Sequence, residues 1–239
     1  LLAEMFFDRK LSVGPPFFDA AFTPFMVLLG LALPVGSSMA WKRASLKRAL
    51  YPLRYVFVVA VAIGGLAWAM QTGRSLIGPV GMFLGAWVLM GVVVDLAQRT
   101  GRGPNRLSRL LRLPGADWGK ATAHAGLGVT MMGIAGIYAW TVEDIRVAQI
   151  GEPFEVHGYD MTLRSVDNVE GPNYVATRAV IDVVQDGEFL ATLAPEKRFY
   201  PVAQMPTTEA AIDQNWKRDL YLVIGDQQEN GGWAVRTYI

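Results

Sequence analysis

The chain has 239 residues, 52% of them apolar, a net charge of +1, two histidines and no cysteine. The missing cysteine excludes disulfides and thiolate ligation within the chain. The near-neutral total hides a division: residues 1–141 carry 14 Lys and Arg against 5 Asp and Glu, net +9, while residues 142–239 carry 8 against 16, net −8.

The opening Leu-Leu-Ala-Glu-Met has neither the basic start nor the apolar core of a cleavable signal. It also lacks an initiator methionine, so the sequence reads as a fragment with an external N-terminal segment over 1–19. Four charge-free runs follow, at 20–41, 55–73, 75–94 and 121–142, of 22, 19, 20 and 22 residues. About 20 helical residues cross a hydrocarbon layer of roughly 30 Å, so residues 20–142 are expected to form a four-helix transmembrane region. The fold class is therefore a polytopic α-helical membrane protein.

Basic residues set the orientation. Lys42, Arg43, Lys47, Arg48 and Arg54 lie between the first two runs, and Arg99, Arg102, Arg106, Arg109, Arg112 and Lys120 between the last two; Arg74 alone separates the second and third. Positive residues stay on the cytoplasmic side, so both rich loops are inside and everything past 142 is outside. Topology accounts for this charge, and no nucleic-acid partner is implied. Leu107, Leu110, Leu111 and Leu113 alternate with arginines, predicting an amphipathic segment on the inner membrane surface within 101–117, with membrane lipid as its partner.

Small residues in the spans, among them Gly64, Gly65, Gly81 and Gly85, fit close helix packing. Asp95, at the inner end of the third run, reads as interfacial rather than as a proton relay. Met131 and Met132 read as filling.

His124 carries the strongest chemical signal. It is the sole histidine of the charge-free 121–142 run, and an ionisable side chain at such depth is a functional candidate by default. It lies about 6 Å past Lys120 along a helix, nearer the inner leaflet. Ala121 and Gly128, at i−3 and i+4, share its face and leave room for a flat macrocycle or another helix. The residues leave three readings open: ligation of a metal or haem iron, a proton relay in a transporter, and a histidine bonded to a neighbouring helix in a non-catalytic scaffold.

From 143 to 239 the pattern changes to short alternating β segments: 159–166, 176–184, 189–193, 220–224 and 233–238. Turn signals separate them, at His157-Gly158, Gly171-Pro172-Asn173, Asp186-Gly187 and 229–232. Five or six strands in a small antiparallel sheet or barrel are expected, forming an external all-β domain. His157 reads as a solvent-facing turn residue. Ile239 falls within or just past a strand, which also suggests a fragment.

Several strings together, Ser12-Val-Gly-Pro-Pro-Phe-Phe18, Trp118-Gly119, Ala123-His124-Ala125-Gly126, 194–200 (Ala-Pro-Glu-Lys-Arg-Phe-Tyr) and 205–212 (Met-Pro-Thr-Thr-Glu-Ala-Ala-Ile), resemble the cytochrome c maturation protein F family. These are membrane subunits of the haem lyase of c-type cytochrome assembly. The likeness runs through the whole chain and resembles the C-terminal portion of such a protein. It implies a bacterial inner-membrane location, a periplasmic β domain, and attachment of haem to the Cys-x-x-Cys-His thiols of apocytochrome c. It further implies a resident haem b with His124 as an axial ligand to the iron, the opposing ligand and the substrate-haem histidines lying upstream. The implied partners are a periplasmic haem chaperone, apocytochrome c, thiol-handling and apocytochrome-binding maturation subunits, and quinol as a candidate reductant.

Overall fold

The computed structural model describes residues 15–39, 45–215 and 218–239. Most of the expected N-terminal segment, the start of the Ser12–Phe18 string, and Lys42 and Arg43 lie outside the described residues. The chain separates into two compact units, Leu1–Trp140 and Thr141–Ile239.

The first unit is helical: α1 (Pro15–Ser37), α2 (Leu46–Met70), α3 (Ile77–Thr100), α4 (Arg106–Leu111) and α5 (Gly115–Trp140). Among the described residues, three helices, α1 to α3, are long and apolar enough to cross a membrane. The four charge-free runs predict four. The fourth run is indeed helical, but α5 spends positions on Thr122, His124, Thr130 and glycines, which lower its hydropathy. Charge-free runs also misplace helix ends. α2 begins at Leu46 and takes Lys47, Arg48 and Arg54 into its first turns, because long basic side chains can reach water from a helix end. Within 101–117 only Arg106–Leu111 forms a separate helix, and α5 starts at Gly115.

α3 is the central helix, packed by α1, α2 and α5. Its contact with α5 is made backbone to backbone. A methyl group at Gly81 would stand 2.7 Å from Ala135 Cβ, and one at Gly85 would stand 2.3 Å from Met132 Cγ and 2.7 Å from the Gly128 carbonyl. Such distances leave no room for a side chain, which is the reason small residues sit here. Gly64 is similarly tight against Phe83 and Pro79, whereas Gly65 meets nothing within 4 Å. Against α2, Phe57 meets Phe83 and Trp87 edge-on at 5.8 and 6.0 Å, and Trp87 donates to the Leu31 carbonyl of α1 at 3.2 Å. At the far end of the bundle, Thr72 and Trp140 bond across to backbone carbonyls of α5 and α2, satisfying groups that helix ends leave open.

Among the described residues the second unit has ten antiparallel strands: β1 (Glu143–Ala148), β2 (Pro153–Val156), β3 (Tyr159–Glu170), β4 (Val175–Gln185), β5 (Glu188–Leu193), β6 (Glu196–Tyr200), β7 (Met205–Glu209), β8 (Ala211–Gln214), β9 (Asp219–Gln227) and β10 (Trp233–Tyr238). One sheet runs β1-β10-β9-β8 and the other β2-β3-β4-β6-β7, with β5 also on β4. The β1/β2 and β7/β8 segments pass from one sheet to the other, and the two sheets share one core, so the unit is a two-sheet sandwich rather than the single small sheet or barrel expected. Met161, Leu163, Ile181, Val183, Leu220, Leu222, Ile224 and Val235 form its fully buried core. Val142 and Ile239 exchange backbone hydrogen bonds of 2.9 and 3.0 Å, joining the first and last segments.

Five expected strands are present, and β1, β2, β6, β7 and β8 are additional. Asp186-Gly187 and His157-Gly158 both have positive φ, at 51 and 80° and at 52 and 82°. That is the two-residue turn whose twist matches the flanking strands. His157 is an exposed residue at such a hairpin tip.

Candidate functional site

His124 lies on α5, one turn past Lys120, and is half-buried. Its ring makes no hydrogen bond to a described residue, so the reading of a histidine bonded to a neighbouring helix finds no partner there. No group of three or more His, Cys, Asp or Glu able to hold a metal occurs among the described residues. The donor set is thus one imidazole, which fits one axial position of a haem iron and falls short of a complete metal site.

Ala121 and Gly128, read as room beside the ring, are buried. A Cβ at Gly128 would come within 2.8 Å of Leu89 and 3.1 Å of the Gly85 carbonyl, so α3 fills that side. The flank left to the ring is the one shared with Leu127 and Met131, at i+3 and i+7. Those two residues, with Met26, Gly81, Leu84 and Tyr138, line an apolar cavity of about 390 Å3 between α1, α3 and α5.

Beneath His124 the two helices are clasped by charge. Asp95, read from sequence as interfacial, is buried, its side chain 7% exposed. It accepts from Lys120 at 2.6 Å and from Arg99 at 3.1 Å, and Arg99 also reaches Asp117. Removing one partner of a buried ion pair leaves an uncompensated charge, which costs far more than the pair contributes. The clasp therefore holds α5 against α3 in one register and fixes the height at which α5 carries His124. The spacing of Arg99 four residues after Asp95 was visible in the sequence; the pairing to Lys120, from another helix, was not.

In the β unit, the 194–200 and 205–212 strings lie side by side. Glu196 pairs across from Glu209, and Arg198 from Thr207. Glu196 is buried and takes hydrogen bonds from Arg178 and from Arg198, the latter at 2.7 Å. Burial pushes its carboxyl pKa up, but the bonds from Arg198 and Arg178 and their charges outweigh burial, and the net shift is downward. Arg198, raised by its bond to Glu196, lies 4.4 Å over the Tyr174 ring. The sequence reading passed over this cluster, although strand alternation puts Glu196, Arg198 and Tyr200 on one face.

A family model described as CcmF C-terminal beta-sandwich matches residues 139–239. Over its whole length the chain is 56% identical to the cytochrome c-type biogenesis protein ccl1 of Rhodobacter capsulatus and 38% identical to CycK of Bradyrhizobium diazoefficiens, covering 36% and 37% of those proteins. It is 35% identical to CcmF of Escherichia coli over 96% of this chain and 34% of that one. A solved structure, the cytochrome c heme lyase CcmF, superposes with a TM-score of 0.64 at 20% identity, over 94% of this chain and 36% of that chain, and shows the shared fold. The chain spans a little over a third of the length of these relatives. With similarity running through both the helical and the β units, the chain belongs to the CcmF, CycK and Ccl1 family of cytochrome c-type biogenesis proteins, whose C-terminal portion it matches.

Proposed function

We propose that the chain is the C-terminal part of the membrane subunit of cytochrome c haem lyase, and that His124 supplies one axial ligand to a resident haem b. The observation that carries this reading is an imidazole with no hydrogen-bond partner among the described residues, in the charge-free stretch 121–140 of α5, in a chain 56% identical throughout to a cytochrome c biogenesis protein. A haem held there would supply one-electron redox chemistry. The residues of this chain do the positioning. His124 presents a ring nitrogen, the Asp95–Lys120–Arg99 clasp fixes the height of the ring, and the Gly85–Gly128 contact sets the rotation of α5 against α3. Leu127 and Met131 keep the flank apolar.

In this reading α5 is a fourth span, tolerated at lower hydropathy because α3 covers its small-residue face. The β unit is then periplasmic, where the haem chaperone, apocytochrome c and the thiol-handling and apocytochrome-binding subunits meet the enzyme, and the Cys-x-x-Cys-His thiols receive haem. The test is the optical spectrum of a protein of the relatives' full length. His124→Ala is expected to lose most of the retained b-haem and c-type cytochrome yield together at normal abundance, with added imidazole restoring part of the haem. An unchanged spectrum in His124→Ala sinks the assignment. For orientation, a cysteine at Thr192 should react with an impermeant thiol reagent applied from the periplasmic side, and one at Ser108 should be shielded; the reverse pattern inverts the topology.

A further inference from the structure

Between the last turns of α3 and the short helix α4 lies a cleft of about 450 Å3, walled by Val93, Leu96, Leu107 and Leu110, with Arg106 at its rim. Arg106 is held over the cleft by its Nε, which donates to the buried Thr100 hydroxyl at 3.3 Å; among the described residues its two terminal nitrogens have no hydrogen-bond partner. Arg109 donates one terminal nitrogen to the Arg102 carbonyl at 2.8 Å. Among the described residues, Arg102, Arg106, Arg109 and Arg112 have no carboxylate partner. The nearby acids Asp95 and Asp117 are committed to Arg99 and Lys120. Beside the arginines, Leu107 and Leu111 are 68% and 72% exposed, an arrangement water disfavours and a bilayer surface accommodates.

We propose that this cleft is a binding site for one anionic phospholipid. Its headgroup phosphate sits on Arg106 and Arg109, and one acyl chain lies along Val93, Leu96, Leu107 and Leu110. The Arg106 guanidinium at the wall of the slot and Arg109 one turn further along α4, neither paired to a carboxylate among the described residues, match the headgroup, and the slot matches the acyl chain. The planar guanidinium donates two parallel N–H groups to phosphate oxygens, and basic pockets at the inner face of helical bundles select charged headgroups. A free phosphate would use the arginines and leave the slot without purpose; a zwitterionic lipid would use the slot and gain little from four uncompensated positive charges. The inference rests on the membrane placement proposed above and is independent of haem.

The experiment is native mass spectrometry of the full chain in detergent, with equimolar phosphatidylglycerol and phosphatidylcholine of matched chains. The expected result is one retained phosphatidylglycerol, preferred roughly tenfold or more. Arg106→Gln with Arg109→Gln should bring the two lipids to parity. Leu110→Trp, which fills the slot and leaves the charges, should reduce retention of both lipids. Circular dichroism checks that each variant keeps its helix content, and Leu110→Trp carries the test if the double variant does not fold. Equal retention of the two lipids by the unsubstituted chain overturns the proposal. So does unchanged retention in the folded variants, or full displacement by millimolar inorganic phosphate, which would mark a free-anion site. Retention by this chain that disappears in a protein of the relatives' full length would assign the cleft to another polypeptide segment and equally overturn it.

Discussion

The two units solve the same packing problem in opposite ways. The helical unit keeps large apolar side chains such as Phe25, Tyr55 and Val93 on its outside and brings α3 and α5 together on Gly81, Gly85, Gly128 and Ala135. The β unit turns Met161, Leu163, Ile181 and Leu222 inward and leaves most of its charges outside, the arginine-clamped Glu196 excepted. In water, burial of apolar area dominates stability; between helices in lipid that term vanishes and close backbone contact replaces it. The two units should therefore fail in opposite directions, one when an atom is added and the other when atoms are removed.

The largest effect is expected in the β unit. Leu222→Ala deletes methylenes from a fully buried position at the centre of β9 and should cost about 2–5 kcal/mol. Faster amide exchange across β3, β4 and β9, with the helical peptides unaffected, is the expected readout. If the helices exchange faster as well, the two units unfold as one and the comparison fails. Next is the reverse operation, Gly85→Ala, which adds one methyl against the Gly128 carbonyl and should cost about 1–3 kcal/mol. Gly65→Ala, at an open position, is its control and should be silent. A tolerated Gly85→Ala would mean that α3 and α5 are not held by close contact.

A smaller effect separates the units by pH. The folded-state pKa of Glu196 is lowered from its ordinary value of 4.5, as are those of Asp182, by Thr192 and Arg164, and of Asp144, by Arg146. A lowered carboxylate contributes stability fully above its unfolded pKa and loses it as pH falls through the folded value. The β unit should lose stability below about pH 4.5, and Glu196→Gln should flatten part of that slope while weakening the protein at neutral pH. An acid slope identical in Glu196→Gln would show that the arginine clamp contributes nothing to it.

The same contrast explains what was legible in the sequence. Strands β3, β4, β5, β9 and β10 carry alternating or continuous apolar residues because they face the shared core, and the His157-Gly158 and Asp186-Gly187 turns announce their hairpins. β6 lies inside its sheet and β7 and β8 flank a crossing between sheets; they read as polar because few of their side chains join the core, with ion pairs replacing apolar burial at Glu196 and Arg198. β1 and β2, at the other crossing, are short and charged for the same reason. Charge-free runs located the helices but not their ends, since Lys47, Arg48 and Arg54 continue α2. His124 stood out because it is isolated. Asp95 did not, because its burial depends on Lys120 arriving from α5, and no local pattern encodes that meeting.

The smallest predicted effect tests whether the two histidines belong to the two units in function as well as in place. His157 is exposed at a hairpin tip with φ of 52°, a conformation that costs most side chains energy and suits asparagine. His157→Asn should leave stability unchanged or raise it by a few tenths of a kcal/mol. If the proposed haem assignment holds, it should leave that haem untouched, while His124→Ala should lose most of it. A haem spectrum altered by His157→Asn, in protein whose β unit exchanges its amides as before, would bring the second histidine into the site. The division of labour would then be wrong in its most specific claim, because the β unit would be supplying iron chemistry and not only a surface for partners.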